Sequence, residues 1–159
     1  MQGFTIRNCE AENGGGMHIS STYTVLRNIK FIGNHATKNG GSLWIKSNAV
    51  EAYNSTISAS TSDNYGGGVY IESANLKLFG SHVEYNSADE AGNQLYCQSA
   101  AVQIDRESTI DRAVSAECDR CSITYMNGGG TLSCSPAGSR VGGSSALLAA
   151  IHGLVASLW

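Results

Sequence analysis

Proline and charged residues are both scarce in this sequence of 159 residues. There is a single proline, Pro136, and only 14% of the residues are charged, with a formal net charge of -3. This low and slightly acidic charge argues against the basic surface that nucleic acids require, so no nucleic-acid partner is expected. Nineteen glycines, with many Ser, Thr and Asn, instead favour an all-β protein of short strands joined by tight turns.

An export signal is also missing from the first residues. The opening stretch, MQGFTIRNCEAEN, contains no apolar run of the length that a secretory signal needs. Residue 1 falls within the repeat described next, so we expect the sequence to be a fragment of a longer protein that carries more repeats and an export signal.

Glycines mark an internal repeat. Gly14, Gly40, Gly66 and Gly92 are each separated by 26 residues, since 40-14, 66-40 and 92-66 all equal 26. A fixed period between about 20 and 50 residues is typical of a solenoid, in which each unit stacks on its neighbours.

Apolar residues recur at fixed positions within each repeat, and they alternate as in a strand. The first strand is predicted from Met17, Leu43, Val69 and Leu95, with Ile19, Ile45, Ile71 and Cys97 two residues further on. The second is predicted from Thr24, Val50, Leu76 and Val102 with Leu26, Ala52, Leu78 and Ile104, and the third from Phe31, Ile57 and Val83. A turn column of Asn8, Asn34, Ser60 and Asn86 follows, whose side chains can hydrogen-bond along the stack.

These columns predict a single-stranded parallel β-helix with 26-residue coils and three strands per coil. Residues 1–105 would form about four coils, and 106–135 a degenerate coil or cysteine-containing cap. Residues 136–145 read as a polar spacer, and 146–159 as a short apolar helix or tail.

Glycine-rich tetrapeptides connect the repeat with a known family. GGGM at 14–17, GGSL at 40–43 and GGGV at 66–69, together with FIGN at 31–34, resemble the GGA[ILV] and FxxN repeats of the polymorphic outer-membrane proteins. Related proteins include chlamydial surface adhesins and right-handed β-helix proteins of protists and algae. The resemblance spans roughly residues 4–105, with Gly16, Ser42 and Gly68 in place of the family's alanine. It implies a right-handed β-helix at the cell surface.

An outward-facing column of rings lies between the two apolar columns of the first strand. It consists of His18, Trp44, Tyr70 and Tyr96. Such a strip would offer aromatic faces to sugar rings, or the rings would simply stabilise the sheet by packing on one another. Both readings stay open from the sequence.

Catalytic and metal-binding patterns are weak. The next outward column reads Ser20, Lys46, Glu72 and Gln98, and only Glu72 could act as an acid or base, whereas glycoside hydrolysis uses two positioned carboxylates. No catalytic residue, metal site or cofactor is therefore predicted, and an enzyme is not favoured.

Five cysteines divide into one early residue, Cys9, and a later group. The candidates for disulfides are Cys97, Cys118, Cys121 and Cys134. A zinc site with four thiolates is the alternative, but only one CxxC pair is present, so disulfides in an exported protein are favoured. Cys9 is left over and would pair with a missing segment.

The carboxy-terminal region suggests membrane attachment. A stretch of small polar residues, 135–145, leads into ALLAAIHGLVASLW, whose fourteen residues are too few to span a bilayer as a helix. The pattern matches a glycosylphosphatidylinositol anchor signal, with cleavage near 133–135 or 137–139. A membrane-associated helix, or a helix docked over the end of the solenoid, are the alternatives. Asn54 begins a glycosylation sequon that agrees with export.

Together these features predict an extracellular, membrane-attached β-helix protein that acts as an adhesion or structural module, with a cell-surface glycan or protein as its ligand. The alternative is a protein that binds or degrades polysaccharides, in the manner of pectate lyases.

Overall fold

The chain forms a parallel β-solenoid of about four turns with almost no helix. The structure is a computed structural model that describes residues 1–46, 49–111, 116–128, 130–132 and 135–136. Most of the predicted spacer and the whole apolar tail of 146–159 lie outside these residues, as does Cys134.

Strands, numbered β1 to β21 in chain order, form four sheets that run along the solenoid. The first sheet contains β3 (Met17–Ile19), β7 (Leu43–Ile45), β11 (Val69–Glu72), β15 (Leu95–Gln98), β18 (Ala116–Asp119) and β21 (Ser135–Pro136). The second contains β4 (Tyr23–Arg27), β8 (Ala49–Tyr53), β12 (Asn75–Phe79), β16 (Ala101–Ile104), β19 (Ser122–Tyr125) and β20 (Thr131–Leu132).

The other two sheets consist of shorter strands. The third sheet contains β1 (Thr5–Arg7), β5 (Lys30–Ile32), β9 (Thr56–Ser58), β13 (His82–Glu84) and β17 (Thr109–Ile110). The fourth contains β2 (Glu10–Asn13), β6 (His35–Asn39), β10 (Thr61–Ser62) and β14 (Ser87–Ala88). The sequence predicts three strands per coil, so this fourth sheet is a departure from that prediction.

Stacked residues are not separated by a constant number of positions. Met17 pairs with Leu43, a step of 26, but Thr5 pairs with Lys30, a step of 25. At the other end, His82 pairs with Thr109, a step of 27, and Ala101 with Ser122, a step of 21. Coil length therefore varies toward both ends of the described stack.

The short first step corrects one predicted column. Ile6 pairs with Phe31 and Glu10 with His35, so Cys9 lies opposite Asn34, and Asn8 lies opposite Gly33. The 26-residue period predicts that Asn8 belongs to the turn column of Asn34, and this prediction is wrong. A register shift after Ala11 brings the pairing back to the step of 26.

The predicted inward columns form the core. Ile19, Ile45 and Ile71 stack in register and are 4%, 0% and 0% exposed. Leu43, Val69 and Leu95 are buried beside them, and Phe31, Ile57 and Val83 fill the third side. Each turn buries only a few apolar side chains, so its stability depends on contact with the turns above and below.

Buried polar side chains link the turns at the corner between the third and fourth sheets. The backbone N–H of Asn34 donates to Ser60 Oγ at 3.2 Å, and the backbone N–H of Ser60 donates to Asn86 Oδ1 at 2.9 Å. We call Asn34, Ser60 and Asn86 the polar ladder. It satisfies backbone donors that would otherwise be unpaired in the interior.

Serines form a second ladder where the second sheet meets the third. The Ile29 amide donates to Ser55 Oγ, the Ser55 amide to Ser81 Oγ, and the Ser81 amide to Ser108 Oγ, at 3.0 to 3.2 Å. Each hydroxyl thus accepts a hydrogen bond from the turn that precedes it in the chain.

The last turns change pattern. β19 pairs in parallel with β16, but β20 then returns antiparallel to β19 after a short 3-10 helix at Met126–Gly128. Parallel stacking therefore continues beyond residue 105, the predicted end of the regular coils.

Candidate functional site

The predicted aromatic column lies on the outer side of the first sheet. Its four members are paired in register on β3, β7, β11 and β15. The rings of His18 and Trp44 stack with centroids 4.2 Å apart, and those of Tyr70 and Tyr96 stack at 5.4 Å with planes only 2° apart. In-register parallel pairing brings these rings into contact, because it places identical positions one strand spacing apart.

Access to this column is uneven. His18 is exposed and Trp44 is half-buried, but Tyr70 and Tyr96 are only 8% and 7% exposed. Tyr65 lies in the loop before β11, and the centre of its ring is 4.8 Å from the centre of the Tyr96 ring on β15. Only the His18 and Trp44 end of the column therefore offers ring surface to a ligand, and carbohydrate binding there stays a prediction.

Charged side chains next to this column are paired with each other. Lys46 Nζ lies 3.3 Å from Glu72 Oε1 and 5.9 Å from the centre of the Trp44 ring. Glu72 is thus the ion-pair partner of Lys46, and the backbone register extends its outward column through Gln98 to Asp119. This pairing favours a structural role for Glu72 over one as an acid or base.

A second cluster, which the sequence analysis does not predict, lies on the outer side of the second sheet. Glu51 Oε2 accepts hydrogen bonds from the hydroxyls of Tyr53 and Tyr23, both at 2.8 Å, and Lys77 Nζ lies 3.8 Å from Glu51 Oε1. The hydrogen bonds from Tyr53 and Tyr23 lower the pKa of Glu51, with help from the charges of Lys77 and Arg27. Glu51 is therefore held as a carboxylate.

Rings and a guanidinium group extend this cluster. Tyr53 and Phe79 stack at 4.5 Å with planes 5° apart, and the Arg27 guanidinium lies 4.1 Å from the centre of the Tyr53 ring. The sequence does contain the signal: Arg27, Tyr53 and Phe79 are each 26 residues apart, and so are Glu51 and Lys77. The 26-residue spacing of these outward residues is therefore the sequence signal that predicts the cluster.

Other carboxylates are engaged at turns and between strands. Glu12 pairs with Lys38 at 2.7 Å, and Asp63 lies 3.6 Å from His35. Burial acts to raise the pKa of Asp105, but hydrogen bonds from Ser108 and from backbone amides outweigh it and lower that pKa. The residues that the structure describes contain no group of three or more side chains able to hold a metal ion.

One disulfide joins two of the predicted cysteines. Cys97, fully buried in the first sheet, is bonded to Cys121, with their Cα atoms 6.1 Å apart. Cys118 lies on β18 opposite Cys97 in the backbone register. Cys9 is an exposed free cysteine.

Loss of the disulfide should destabilise the last turns. The bond closes a segment of 24 residues, and cross-links of this size stabilise proteins by about 3 kcal/mol. We expect the Cys121→Ser variant, in which the buried Cys97 is kept, to lose about that much free energy of unfolding in urea titrations. Cys9→Ser, the matched control, should change it by less than about 0.5 kcal/mol. Equal effects of the two substitutions would contradict this expectation.

Asn54 lies in an exposed turn. Its φ is 47°, and its backbone N–H donates to the carbonyl oxygen of Phe79. Asn54 is thus exposed between the second and third sheets, whereas the next residue of the sequon, Ser55, is buried in the serine ladder.

The prediction of membrane attachment falls on the tail, which lies outside the described residues. Within those residues, no helix has both the length and the apolar character needed to cross a bilayer.

Comparisons with protein-family models, with curated proteins and with solved structures found no match to this chain.

Proposed function

We propose that this chain is a non-catalytic module that works outside the cell, in adhesion or as a structural element, and that its carboxy-terminal tail attaches it to the membrane. The observation that carries the proposal is the in-register stack itself. Repeated turns produce long columns of outward side chains on a rigid support, and solenoids use such surfaces to contact partners over an extended area. The partner would be a cell-surface glycan or protein.

The state of the carboxylates supports a role without catalysis. Glu51, Glu72 and Glu12 each form an ion pair with a lysine from a neighbouring turn. A general acid or base needs a pKa near the working pH, but the pKa of Glu51 is lowered by its tyrosine partners. These acids therefore serve the cohesion of the stack.

Several features support a surface location. The glycine and FIGN motifs resemble those of surface adhesins with right-handed β-helices, and parallel strands joined by crossovers are right-handed in nearly all proteins. A disulfide is typical of an oxidising compartment, and the sequon residue Asn54 is exposed. The polar spacer and apolar tail fit a lipid-anchor signal.

Attachment can be tested on intact eukaryotic cells that express the full chain behind an export signal. We expect surface labelling of the protein and its release by a phosphatidylinositol-specific phospholipase. A variant with Leu154→Lys and Val155→Lys in the tail should lose surface labelling, since charge prevents recognition of the apolar signal. Failure of release, with the tail still detected by mass spectrometry, would contradict the lipid anchor.

A second candidate function is polysaccharide binding, or cleavage, through the first sheet. The exposed His18 and half-buried Trp44 rings favour it, because stacked rings offer an apolar surface for sugar rings. On a glycan array, Trp44→Ala should abolish any signal that depends on this site, while the control Phe4→Ala, which removes an exposed ring elsewhere, should keep it. Equal signals from both variants would exclude the His18 and Trp44 site.

A further inference from the structure

Asparagine is followed by glycine at three places in the sequence, and the structure puts these pairs in two different settings. Asn13-Gly14 and Asn39-Gly40 lie at the corner between the fourth and first sheets, whereas Asn127-Gly128 lies in the short 3-10 helix that leads to β20. Such pairs lose the side-chain amide readily, because glycine has no side chain to obstruct its own backbone nitrogen. The three pairs can therefore be compared within one chain.

Deamidation at such a pair proceeds through a cyclic succinimide. The backbone nitrogen of the glycine attacks Cγ of the asparagine, and the side-chain nitrogen leaves as ammonia with the proton of the glycine N–H. Water then opens the ring at one of its two carbonyl carbons, which gives aspartate or isoaspartate, and no oxidant or cofactor is consumed. Ring closure requires rotation about the asparagine ψ and release of the glycine N–H from any acceptor.

Hydrogen bonds to the next turn hold the first two pairs at both residues. Asn13 Oδ1 accepts from the backbone N–H of Asn39, and Asn39 Oδ1 accepts from that of Tyr65, both at 3.3 Å. The N–H of the buried Gly14 donates to Asn39 O at 2.9 Å. The N–H of the buried Gly40 donates to Tyr65 O, also at 2.9 Å. Ring closure at either pair would therefore require the stack to open first.

Asn127-Gly128 lies outside the paired strands. Both residues are exposed, and a Cβ atom built on Gly128 would meet no atom within 4 Å. The φ and ψ of Asn127, 61° and 34°, are not helical, so the 3-10 helix is interrupted at this residue. Rotation here would disturb only a local turn with open space beside it, and the contacts between coils would be kept.

We propose that Asn127 is a site of deamidation, with water as the co-reactant, and that Asn13 and Asn39 are protected while the turns stay stacked. Each event adds one negative charge to the formal net charge of -3. Isoaspartate also inserts a carbon atom into the backbone between β19 and β20, where the Tyr125 N–H donates to Gly130 O at 2.9 Å. The modification would thus change both the charge and the strand register of this return.

The test incubates the purified full chain in mildly alkaline buffer made with heavy-oxygen water and follows the three sites by peptide mass spectrometry. We expect Asn127 to be converted at least tenfold faster than Asn13 or Asn39, with one solvent oxygen incorporated and isoaspartate among the products. In guanidinium chloride, which unfolds the stack, the three rates should agree within threefold, because the pairs are chemically alike.

Gly128→Ala tests the attacking nitrogen directly. The added methyl group obstructs that nitrogen, so we expect conversion of Asn127 to slow at least fivefold in both the folded and the unfolded chain. Gly3→Ala is the matched control, since Gly3 also has a positive φ and open space around its hypothetical Cβ. It should change the rate at Asn127 less than twofold.

Three outcomes would overturn the inference. The first is conversion of Asn127 in the folded chain that is no faster than that of Asn13 and Asn39. The second is the same order of rates, still tenfold apart, in guanidinium chloride, which would place the cause in the local sequence. The third is an unchanged rate in Gly128→Ala. None of these bears on the proposed surface function, which the phospholipase experiment measures separately.

Discussion

Replacement of Gly41 by alanine should abolish folding of the solenoid or cost more than about 4 kcal/mol of its free energy of unfolding. A Cβ atom at Gly41 would overlap the backbone carbonyl oxygens of Gly67 and Thr61. These oxygens belong to the next turn, and the Gly41 amide itself donates to Gly66 O at 3.0 Å. The neighbouring turn therefore cannot move away without breaking the stack.

Gly3→Ala is the matched control for this prediction. Gly3 has a φ of 73°, but no atom lies within 4 Å of its hypothetical Cβ. Only the cost of a left-handed conformation remains, about 1–2 kcal/mol. Thermal unfolding followed by circular dichroism compares the two variants. A Gly41→Ala protein that melts together with Gly3→Ala would show that the turns do not approach as closely as described.

Replacement of Asn86 by leucine should cost roughly 3 kcal/mol or more, although it places an apolar side chain in the interior. Asn86 is only 6% exposed. Its Oδ1 accepts a hydrogen bond from the Ser60 amide at 2.9 Å, and its Nδ2 donates to Ile57 O at 3.0 Å and to Gln94 Oε1 at 2.8 Å. Leucine would remove all three hydrogen bonds and leave the buried Ser60 amide without its acceptor, whereas Gln94 Oε1 would keep the hydrogen bond from the backbone N–H of residue 86. Each orphaned buried group costs about 1–3 kcal/mol.

The exposed Asn75 provides a control, since Asn75→Leu makes the same change on the outer side of the second sheet. It should alter the free energy of unfolding by no more than about 0.5 kcal/mol in urea titrations. If Asn86→Leu were as stable as Asn75→Leu, the polar ladder would not contribute to cohesion between turns.

The inward columns of the fold could be predicted from the sequence because their physics is local and repeated. Ile19, Ile45 and Ile71 alternate with outward residues, and the same pattern returns in each unit. The fourth sheet carries no such pattern. Two of its strands, Thr61–Ser62 and Ser87–Ala88, are two residues long and contain no large apolar residue, so backbone pairing with neighbouring turns is what makes them strands.

The constant 26-residue period also does not reveal the change of strand register in the first turn, where the pairing step is 25. Asn8 and Asn34 are 26 residues apart and chemically identical, so the sequence places them in one column. Backbone pairing puts Cys9 there instead, and its amide donates to Asn34 Oδ1 at 3.1 Å. Only the hydrogen-bond register distinguishes the two assignments.

The aromatic column shows a different limit. Periodicity correctly places the four rings on one outer side, but it does not reveal which are accessible. Burial of Tyr96, on β15, depends in part on Tyr65, which lies in the loop before β11.

Contacts between isoleucine methyl groups test the stacking of turns most directly. In a nuclear Overhauser experiment on protein with labelled isoleucine methyls, we expect contacts between Ile19 and Ile45 and between Ile45 and Ile71, and none between Ile19 and Ile71, which are two turns apart. Loss of the Ile45 contacts in Ile45→Val would confirm the assignment. Absence of both neighbouring contacts, or a direct contact between Ile19 and Ile71, would contradict the stacked solenoid.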